Sequence, residues 1–265
     1  MKLRRQAGNG RKLVSAAIPV LVIVLWQVLG AFGLIASSVL PTPLQVVQAG
    51  VHLAVTGTLW SALSVSAGRA FLGFAIGGGV GFVLGLLNGV FRWAETVFDA
   101  TLQMVRTIPH LALIPLVILW FGIGEEAKVI LVALGVLFPV YLNTFHGIKS
   151  VDPGLIEMGK VYGLNTLSLY LKVILPGALS SVLVGVRYGL GVMWTTLIVA
   201  ETIASNTGIG YLAMNAREFM QMDVVVLSIL LYALLGTLSD VMARTLEKKW
   251  LRWHPQFQVS AAEPA

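Results

Sequence analysis

The chain has 265 residues, of which 57% are hydrophobic and only 11% are charged, and its mean hydropathy is +0.86. In soluble domains about a quarter of the residues are charged. This composition therefore excludes an ordinary soluble protein and predicts an all-α protein that crosses a membrane several times. The net charge of +6 needs no nucleic acid as a partner, because basic residues near membrane spans set the topology and contact anionic lipid headgroups. The chain has no cysteine and therefore no disulfide.

Six apolar segments are long enough to cross a bilayer, which requires about 20 residues. In chain order we predict the spans Leu13–Ile35, Ser66–Val90, Phe98–Ile123, Ala127–Ile148, Ala178–Ala204 and Val224–Ala243. The first span is too long for a signal peptide and has no suitable cleavage site after a short apolar core. Pro41 and Pro43 follow it, and because proline interrupts helices, they predict a loop.

The basic residues predict the orientation of the chain. If the N-terminus is cytoplasmic, thirteen of the 18 Lys and Arg residues lie on the cytoplasmic side, namely Lys2, Arg4, Arg5, Arg11, Lys12, Arg92, Lys149, Lys160, Lys172, Arg244, Lys248, Lys249 and Arg252. This asymmetry agrees with the positive-inside rule. We therefore predict a cytoplasmic N-terminal segment over residues 1–12, a transmembrane domain over residues 13–253 and a cytoplasmic C-terminal tail over residues 254–265.

Glycine recurs at every fourth position of the second span, at Gly73, Gly77, Gly81, Gly85 and Gly89. This spacing places the glycines along one side of a helix, where a neighbouring helix can approach closely. Gly185 and Gly189 repeat the spacing in the fifth span. Static packing and a contact along which two helices slide are both compatible with the pattern.

Prolines interrupt the third and fourth spans, at Pro109, Pro115 and Pro139. Each removes a backbone donor, which membrane helices tolerate where protein or water satisfies the freed carbonyl groups, as in translocation pathways. Simple kinks are the more frequent cause, and we predict kinks here. We expect His110, beside Pro109, to hydrogen-bond a freed carbonyl group, and we assign it no chemistry.

A polar segment between the fourth and fifth spans carries the most informative motif. Asp152 can cap a helix that Pro153 opens, and Gly163 can end it. One face of a short amphipathic helix is predicted by residues at i, i+3, i+4 and i+7, namely Leu155, Met158, Gly159 and Tyr162. An ordinary amphipathic surface helix is the alternative interpretation, since such helices are common on membrane proteins.

This segment resembles the EAA loop of ABC importer permeases, whose pattern is Glu-Ala-Ala, three residues, Gly, nine residues, Ile, one residue and Leu-Pro. The residues that match the pattern outright are Glu157, Gly163, Leu175 and Pro176. Met158 and Gly159 stand in place of the two alanines, and Val173 stands in place of the isoleucine. In that family the loop docks into a cleft of the ATPase subunit. The resemblance therefore implies a coupling loop over about residues 149–177 that transmits ATP-driven movement.

Longer strings resemble the nitrate, taurine, sulfonate and bicarbonate branch of these permeases, and within it the aliphatic sulfonate permeases most closely. The strings cover residues 109–122, 195–202 and 208–219, and the likeness extends from Trp26 to Trp253. The resemblance implies a type I, MetI-like permease fold with its core over about residues 60–246.

The resemblance also implies how such a protein works. It implies a bacterial inner-membrane importer made of two permease copies, as a homodimer, two cytoplasmic ATPases that bind ATP and magnesium, and a periplasmic substrate-binding protein. The implied substrate is a small organic anion, an aliphatic sulfonate, with taurine, nitrate or another small substrate as alternatives. The chain contains no Gly-x-x-x-x-Gly-Lys-Ser/Thr loop. We therefore expect a non-catalytic transport subunit that binds no cofactor itself.

Three residues of the fifth span are candidates for the translocation pathway: Arg187, Trp194 and Glu201. Arg187 is the one charge well inside that span, where it could draw an anion through the protein or, alternatively, extend to cytoplasmic headgroups as an anchor. An ion-coupled secondary transporter is the rival function. It would need intramembrane acids, and the only acid within a predicted span that comes into question is Glu201, near the outer end of the fifth span.

Overall fold

The computed structural model describes residues 2–251 and 253, with the backbone alone for residues 2–16 and 204. These residues form an all-α protein, as predicted. The α-helices are α1 (Lys2–Ala31), α2 (Pro43–Val55), α3 (Thr58–Val90), α4 (Arg92–Arg106), α5 (Ile114–Phe121), α6 (Glu125–Lys149), α7 (Pro153–Val161), α8 (Thr166–Leu169), α9 (Leu175–Ala204), α10 (Ile209–Glu218) and α11 (Met222–Trp250). A 3₁₀ turn (His110–Leu113) precedes α5, and a π-helical turn (Tyr170–Ile174) joins α8 to α9. The predicted tail over residues 254–265 lies outside the described residues.

Four helical segments of the described chain are long and apolar enough to cross a membrane: α3, α6, the continuous segment Thr166–Ile203 and α11. A fifth is present if α4 and the segment His110–Phe121 count as one broken span. The first predicted span corresponds to α1, whose described apolar part, Ala17–Ala31, is a shorter apolar helix. The predicted number of six spans therefore agrees approximately with the structure.

The third predicted span, Phe98–Ile123, is not a continuous kinked helix. α4 ends at Arg106, and the segment that starts at His110 lies at 82° to it. Pro109 has an extended backbone with ψ of 113°, and proline disfavours helical conformation in the residue before it. Pro115 lies in the first turn of α5, where no amide donor is needed. The prediction of simple kinks is therefore wrong for these two prolines.

Pro43 begins a helix, which differs from the loop predicted after the first span. Thr42 caps α2: its hydroxyl oxygen accepts a hydrogen bond from the Gln45 amide at 3.3 Å, and the Gln45 side chain accepts one from the Thr42 amide at 2.8 Å. This reciprocal capping box satisfies two amides that have no partner within the helix. Proline at the first helical position lacks such an amide altogether, so it starts this helix instead of preventing it.

The glycines of α3 pack directly against α6. A methyl group at Gly77 would overlap the Ala133 carbonyl oxygen, and one at Gly81 would overlap the Leu137 carbonyl oxygen. The backbones of the two helices therefore touch where these glycines lie, which only a missing side chain allows. The predicted close approach of a neighbouring helix is confirmed.

α6 lies between α3 and α9 at the centre of the bundle. On the α9 side, a methyl group at Gly185 would lie 2.7 Å from the Asn143 Cβ atom. The main apolar core lies where the three helices meet and includes Ala70, Val132, Val136, Val140, Met193 and Leu197. We call the end of the bundle where α6 begins and α9 ends the α10 end. The opposite end, where α6 ends and α9 begins, is called the α7 end.

Candidate functional site

The polar segment between α6 and α9 forms the short helix α7. Asp152 caps it as predicted, because its carboxylate accepts a hydrogen bond from the Gly154 amide at 2.8 Å. Gly163 follows the helix with a positive φ of 76°, a conformation that favours glycine. The Leu164 amide donates to the Gly159 carbonyl oxygen at 3.0 Å, which is the long-range bond of a Schellman cap. The predicted start and end of this helix are confirmed.

Gly159 is the residue through which α7 packs most closely against its neighbours. It is buried, and a methyl group there would lie 2.6 Å from the Leu169 Cδ1 atom. Leu155, Met158 and Tyr162 are exposed, although the predicted amphipathic face grouped them with Gly159. Three of the four residues of the predicted face are therefore exposed together, and Gly159 alone packs against the bundle.

The exposed residues give α7 an apolar surface that contains one acid. Val161 and Tyr162 are 85% and 80% exposed, and Leu155 and Met158 are also exposed around the carboxylate-bearing Glu157. We call these five residues the α7 surface. A contiguous exposed apolar patch marks a contact with a partner or a membrane.

Leu175 and Pro176 begin α9 directly after the π-helical turn. Proline in the first turn of a helix breaks no internal hydrogen bond. Ile174 and Ala178, on either side of these two residues, belong to one apolar cluster that also contains Leu169. The α7–α8 segment is therefore joined to α9 through packed side chains, and not by the chain connection alone.

A buried cluster of charges lies at the α10 end. Arg69 of α3 forms ion pairs with Glu201 of α9, at 2.7 Å, and with Glu125 at the start of α6. The Arg69 side chain is 3% exposed, whereas that of Glu125 is 62% exposed. Lys128, whose side chain is also buried, donates to Glu125 at 3.1 Å, and Arg69 donates to the Thr207 carbonyl oxygen at 2.8 Å. The cluster ties α3, α6, α9 and the loop before α10 together.

Glu201 is enclosed, and donors surround its carboxylate in addition to Arg69. The Ser66 hydroxyl donates at 2.8 Å, the Tyr232 hydroxyl at 2.8 Å and the Gly210 amide at 2.9 Å. A methyl group at Gly208 would lie 2.5 Å from a carboxylate oxygen. A buried carboxylate is tolerated only when it is paired and hydrogen-bonded. These bonds meet that condition and attach α10 and α11 to the central helices.

Sequence reasoning missed this cluster, since it assigned no partner to Arg69 and did not single out Glu125 or Tyr232. One signal was available. Arg69 in the second predicted span and Glu201 in the fifth have opposite charges and lie near the same predicted membrane face. Charged residues at membrane depth pair with one another, so their pairing could have been predicted.

The structure separates the three candidate pathway residues. Arg187 extends towards α11, where its guanidinium group lies 3.4 Å from the Asp240 carboxylate. Trp194 is buried, and its indole N–H donates to the Ser239 hydroxyl at 2.8 Å. Trp194 and Glu201 both lie inside the core of the chain, whereas Arg187 is partly exposed. Of the three, only Arg187 is placed where a molecule outside the chain could touch it.

His110 contacts a hydroxyl group and not the predicted freed carbonyl group. Its Nε2 atom lies 3.0 Å from the Thr196 Oγ1 atom. Gly135 of α6 lies beside this contact, since a methyl group there would be 3.2 Å from Nε2. The change of direction at Pro109 brings the 3₁₀ turn across α6 and α9, which explains the different partner. The contact attaches the broken span to the central helices.

Comparisons with known proteins agree with this architecture. Residues 77–252 match the family described as binding-protein-dependent transport system inner membrane component. The chain is 56% identical to a protein named for aliphatic sulfonates transport, the permease SsuC of Escherichia coli (strain K12), over 92% of this chain and 93% of the relative. A protein of the same name from Bacillus subtilis (strain 168) is 44% identical over 97% and 94% of the two chains. The taurine transport system permease protein TauC of Escherichia coli (strain K12) is 34% identical over 92% of each.

Solved structures of ABC transporters share the fold. A chain in the crystal structure of an amino acid ABC transporter with histidines superposes with a TM-score of 0.61 at 18% identity, covering 75% of this chain and 97% of that one. A chain of the inward-facing MetNI methionine ABC transporter gives a TM-score of 0.52 at 21% identity, covering 72% and 95%. The expected MetI-like permease fold is therefore confirmed. Because the family match covers most of the sequence and the fold agrees with it, this chain belongs to the binding-protein-dependent transport system inner membrane components.

Proposed function

We propose that this chain is the transmembrane permease subunit of an ATP-driven importer of small organic anions, with aliphatic sulfonates as the substrate class. Relatives named for aliphatic sulfonates transport are 56% and 44% identical to it, and the relative named for taurine is 34% identical. This order favours sulfonates, with taurine as the alternative substrate. ATP and magnesium bind to a separate ATPase subunit, and this chain is a non-catalytic transport subunit.

The α7 surface is the main support for the proposed coupling between this chain and an ATPase subunit. It combines the EAA-like motif with exposed apolar residues and the exposed Glu157 carboxylate on one short helix. A cleft on a cytoplasmic ATPase subunit would cover those apolar residues and remove them from water. Two permease copies would bind two ATPases in this way.

The distribution of basic residues supports a cytoplasmic α7 end. Lys149, Lys160 and Lys172 lie at that end, together with Lys248 and Lys249 in the last turn of α11. An excess of basic residues marks the cytoplasmic side of a membrane protein. Both chain termini are then cytoplasmic, and the α10 end faces the periplasm and the substrate-binding protein.

The packing of the central helices supports a mechanism of alternating access. Approach of the two ATPases would move the α7 surfaces of two permease copies towards each other. α9 would move with α7, because the apolar cluster around Ile174 and Leu169 connects them. α3 and α6 would follow as one unit, since their backbones touch at Gly77 and Gly81. The route between the two copies would open first to the binding protein and, after ATP hydrolysis, to the cytoplasm.

Charge reversal at Glu157 tests the coupling. The full transporter, with ATPase and binding protein, is reconstituted in liposomes, and ATP-dependent uptake of labelled ethanesulfonate is measured. Glu157→Lys should reduce uptake and ATPase association at least about tenfold, which corresponds to the loss of about 1.4 kcal/mol of binding free energy. Glu126→Lys is the matched control for ATPase association, because Glu126 is an exposed acid at the opposite end of the bundle. Normal uptake by the Glu157→Lys protein would contradict the proposed coupling.

Two measurements separate the remaining alternatives: ATP depletion tests the rival transport mechanism, and competition between substrates tests the sulfonate assignment. Depleting ATP while the proton gradient is maintained should abolish uptake, whereas an ion-coupled secondary transporter would continue to import. Unlabelled ethanesulfonate should compete with the labelled substrate more strongly than taurine or nitrate does. Stronger competition by taurine would replace the sulfonate assignment and leave the mechanism unchanged.

A further inference from the structure

The exposed side of α9 differs in polarity from the exposed sides of α3 and α11. Among its described side chains, α9 exposes only two large hydrophobic residues, Tyr188 and Ile203. The large exposed residues of α3 include Phe71, Leu72, Ile76, Val80 and Val83, and those of α11 include Ile229, Leu230, Leu234, Leu238 and Val241. Aliphatic and aromatic side chains suit contact with lipid tails. The exposed sides of α3 and α11 have this composition, and that of α9 does not.

Tyr188 is the most unusual residue on that side of α9. It is 63% exposed and lies in the interior of the apolar segment Thr166–Ile203, about 20 Å along the helix from Leu175. Its hydroxyl has no hydrogen-bond partner among the described residues. A free hydroxyl in hydrocarbon is unfavourable because nothing there can hydrogen-bond it, and tyrosine in membrane proteins concentrates at the interfaces. The position of Tyr188 therefore indicates water or polar groups beside it.

Gly191 and Thr195 continue the same side of the helix. They follow Tyr188 at i+3 and i+7, so the three residues are aligned along α9. No atom lies within 4 Å of a methyl group placed at Gly191, which leaves a recess between the other two. Thr195 is exposed, and its hydroxyl donates within its own helix to the Val192 carbonyl oxygen at 3.0 Å, so its oxygen can still accept a hydrogen bond from water.

Arg187 lies at the edge of this side. Its guanidinium group is within 3.4 Å of Asp240 and 3.6 Å of Glu247, yet it forms no hydrogen bond of normal geometry within the described part of the chain. Its N–H donors are therefore available to an anion. The two acids offset the charge of Arg187, and Arg244, which donates to Asp240 at 2.8 Å, restores part of the positive potential, so an anion would be held weakly. Weak binding suits a transport route, because the substrate must also leave.

We propose that the side of α9 that carries Tyr188, Gly191 and Thr195, with Arg187 at its edge, lines the water-filled route of an anionic sulfonate across the membrane. This inference rests on the proposed function and adds the substrate contacts to it. The sulfonate oxygens accept hydrogen bonds from Tyr188 and Arg187, and the recess at Gly191 admits the alkyl chain.

The natural absence of cysteine makes a direct test possible. Full-length chains with one cysteine each, Tyr188→Cys or Thr195→Cys, are assembled with the ATPase and binding protein in lipid nanodiscs. They are treated with 2-sulfonatoethyl methanethiosulfonate, a water-soluble thiol reagent that is itself an alkanesulfonate. Because the reagent reacts with the thiolate, which forms in water and not in hydrocarbon, its rate reports water contact. Asn206→Cys, in an exposed loop, is the water-exposed control, and Ile76→Cys on α3 is the lipid-facing control.

We expect the Tyr188→Cys and Thr195→Cys chains to react within about tenfold of the Asn206→Cys rate, and the Ile76→Cys chain about a hundredfold more slowly. Millimolar ethanesulfonate should slow the reaction at positions 188 and 195 but not at position 206. A Tyr188→Cys rate equal to that of Ile76→Cys would overturn the proposal in favour of lipid. Oxidative cross-linking of two unreactive Tyr188→Cys chains would overturn it in favour of a contact between copies.

Two further outcomes separate this inference from the proposed function. If the preparation transports ethanesulfonate but ethanesulfonate does not protect positions 188 and 195, the substrate takes another route and the inference fails alone. If the wild-type chain does not transport ethanesulfonate, the substrate assignment fails. The labelling rates then still decide whether α9 faces water, and protection is measured with the anion that is transported.

Discussion

The two ends of the bundle hold their charged residues in opposite ways. At the α10 end, Arg69 and Glu201 are buried, and four donor groups surround the Glu201 carboxylate. At the α7 end, Glu157 is exposed, and the Lys149–Glu95 ion pair is 40% and 35% exposed. A buried charge is stable only when its bonds are complete, whereas an exposed one is satisfied by water. The buried pair of the α10 end therefore has all its partners within the chain, whereas the charges of the α7 end are exposed to whatever surrounds the chain.

The strongest test of this comparison removes the charge of Glu201. Glu201→Gln keeps the size of the side chain but places an NH₂ group among donors and leaves Arg69 without its buried partner. Removing one member of a buried pair costs about 3–5 kcal/mol. We expect a large fall in thermal stability in detergent and in the amount of folded protein in the membrane. Glu126→Gln, at an exposed acid of the same end, should change stability by less than about 0.5 kcal/mol. Equal stability of the two variants would show that the buried cluster does not hold the α10 end.

The next largest loss of stability is expected when the glycine contact between α3 and α6 is disturbed. Gly81→Ala places a methyl group against the Leu137 carbonyl oxygen, and overpacking of this kind costs about 1–3 kcal/mol. Gly79 lies two residues away with nothing within 4 Å of an added methyl group. Gly79→Ala should therefore stabilise α3 slightly, because alanine favours helix over glycine by about 1 kcal/mol. Thermal unfolding in detergent should show shifts of opposite sign, and shifts of the same sign would refute the tight contact.

Substitutions at the turn that ends α7 should lower stability and uptake by a smaller amount. Gly163 has a φ of 76° and nothing within 4 Å of an added methyl group, so a substitution there is limited by backbone conformation and not by space. Gly163→Val should cost about 1–2 kcal/mol and reduce uptake relative to protein abundance. Gly163→Asn should retain most uptake, because asparagine tolerates the left-handed conformation. If both variants behave alike, the backbone conformation at this turn is not required for coupling.

The smallest effect is expected at the exposed ion pair of the α7 end. Lys149→Gln removes the 2.6 Å contact with Glu95, and exposed pairs contribute only about 0–1 kcal/mol. Thermal stability should stay close to that of the wild type, and the small difference should disappear at high salt. A loss of stability as large as that of Glu201→Gln would contradict the difference between buried charges at the α10 end and exposed charges at the α7 end.

Local features of the fold could be predicted from the sequence because they depend on neighbouring residues. The caps of α7 at Asp152 and Gly163 follow from side-chain and backbone chemistry within a few residues. The contact of the α3 glycines also followed from their spacing along one helix. The partner helix did not, since the pattern contains no information about which helix fills the recess.

Features that depend on distant parts of the chain were not predicted. The burial of Gly159 towards Leu169, with its apolar neighbours left exposed, depends on how α8 returns towards α7. The 82° break after α4 depends on Pro109 but also on the contact of His110 with Thr196, a residue 86 positions away. Propensity alone could not distinguish this break from a kink.

The sequence by itself determined that the chain is helical and membrane-spanning, because hydropathy and helix caps act within one segment. It also carried the α7 motif, which needs only the spacing of a few residues. The tertiary structure alone decided that Glu125 joins the pair of Arg69 and Glu201, since opposite charges near one membrane face indicate the pair but not its third member. It also decided that Tyr188 is exposed while Trp194 is buried on the same helix. Which side of a uniformly apolar helix faces protein is set by the neighbours that pack against it, and those neighbours come from elsewhere in the chain.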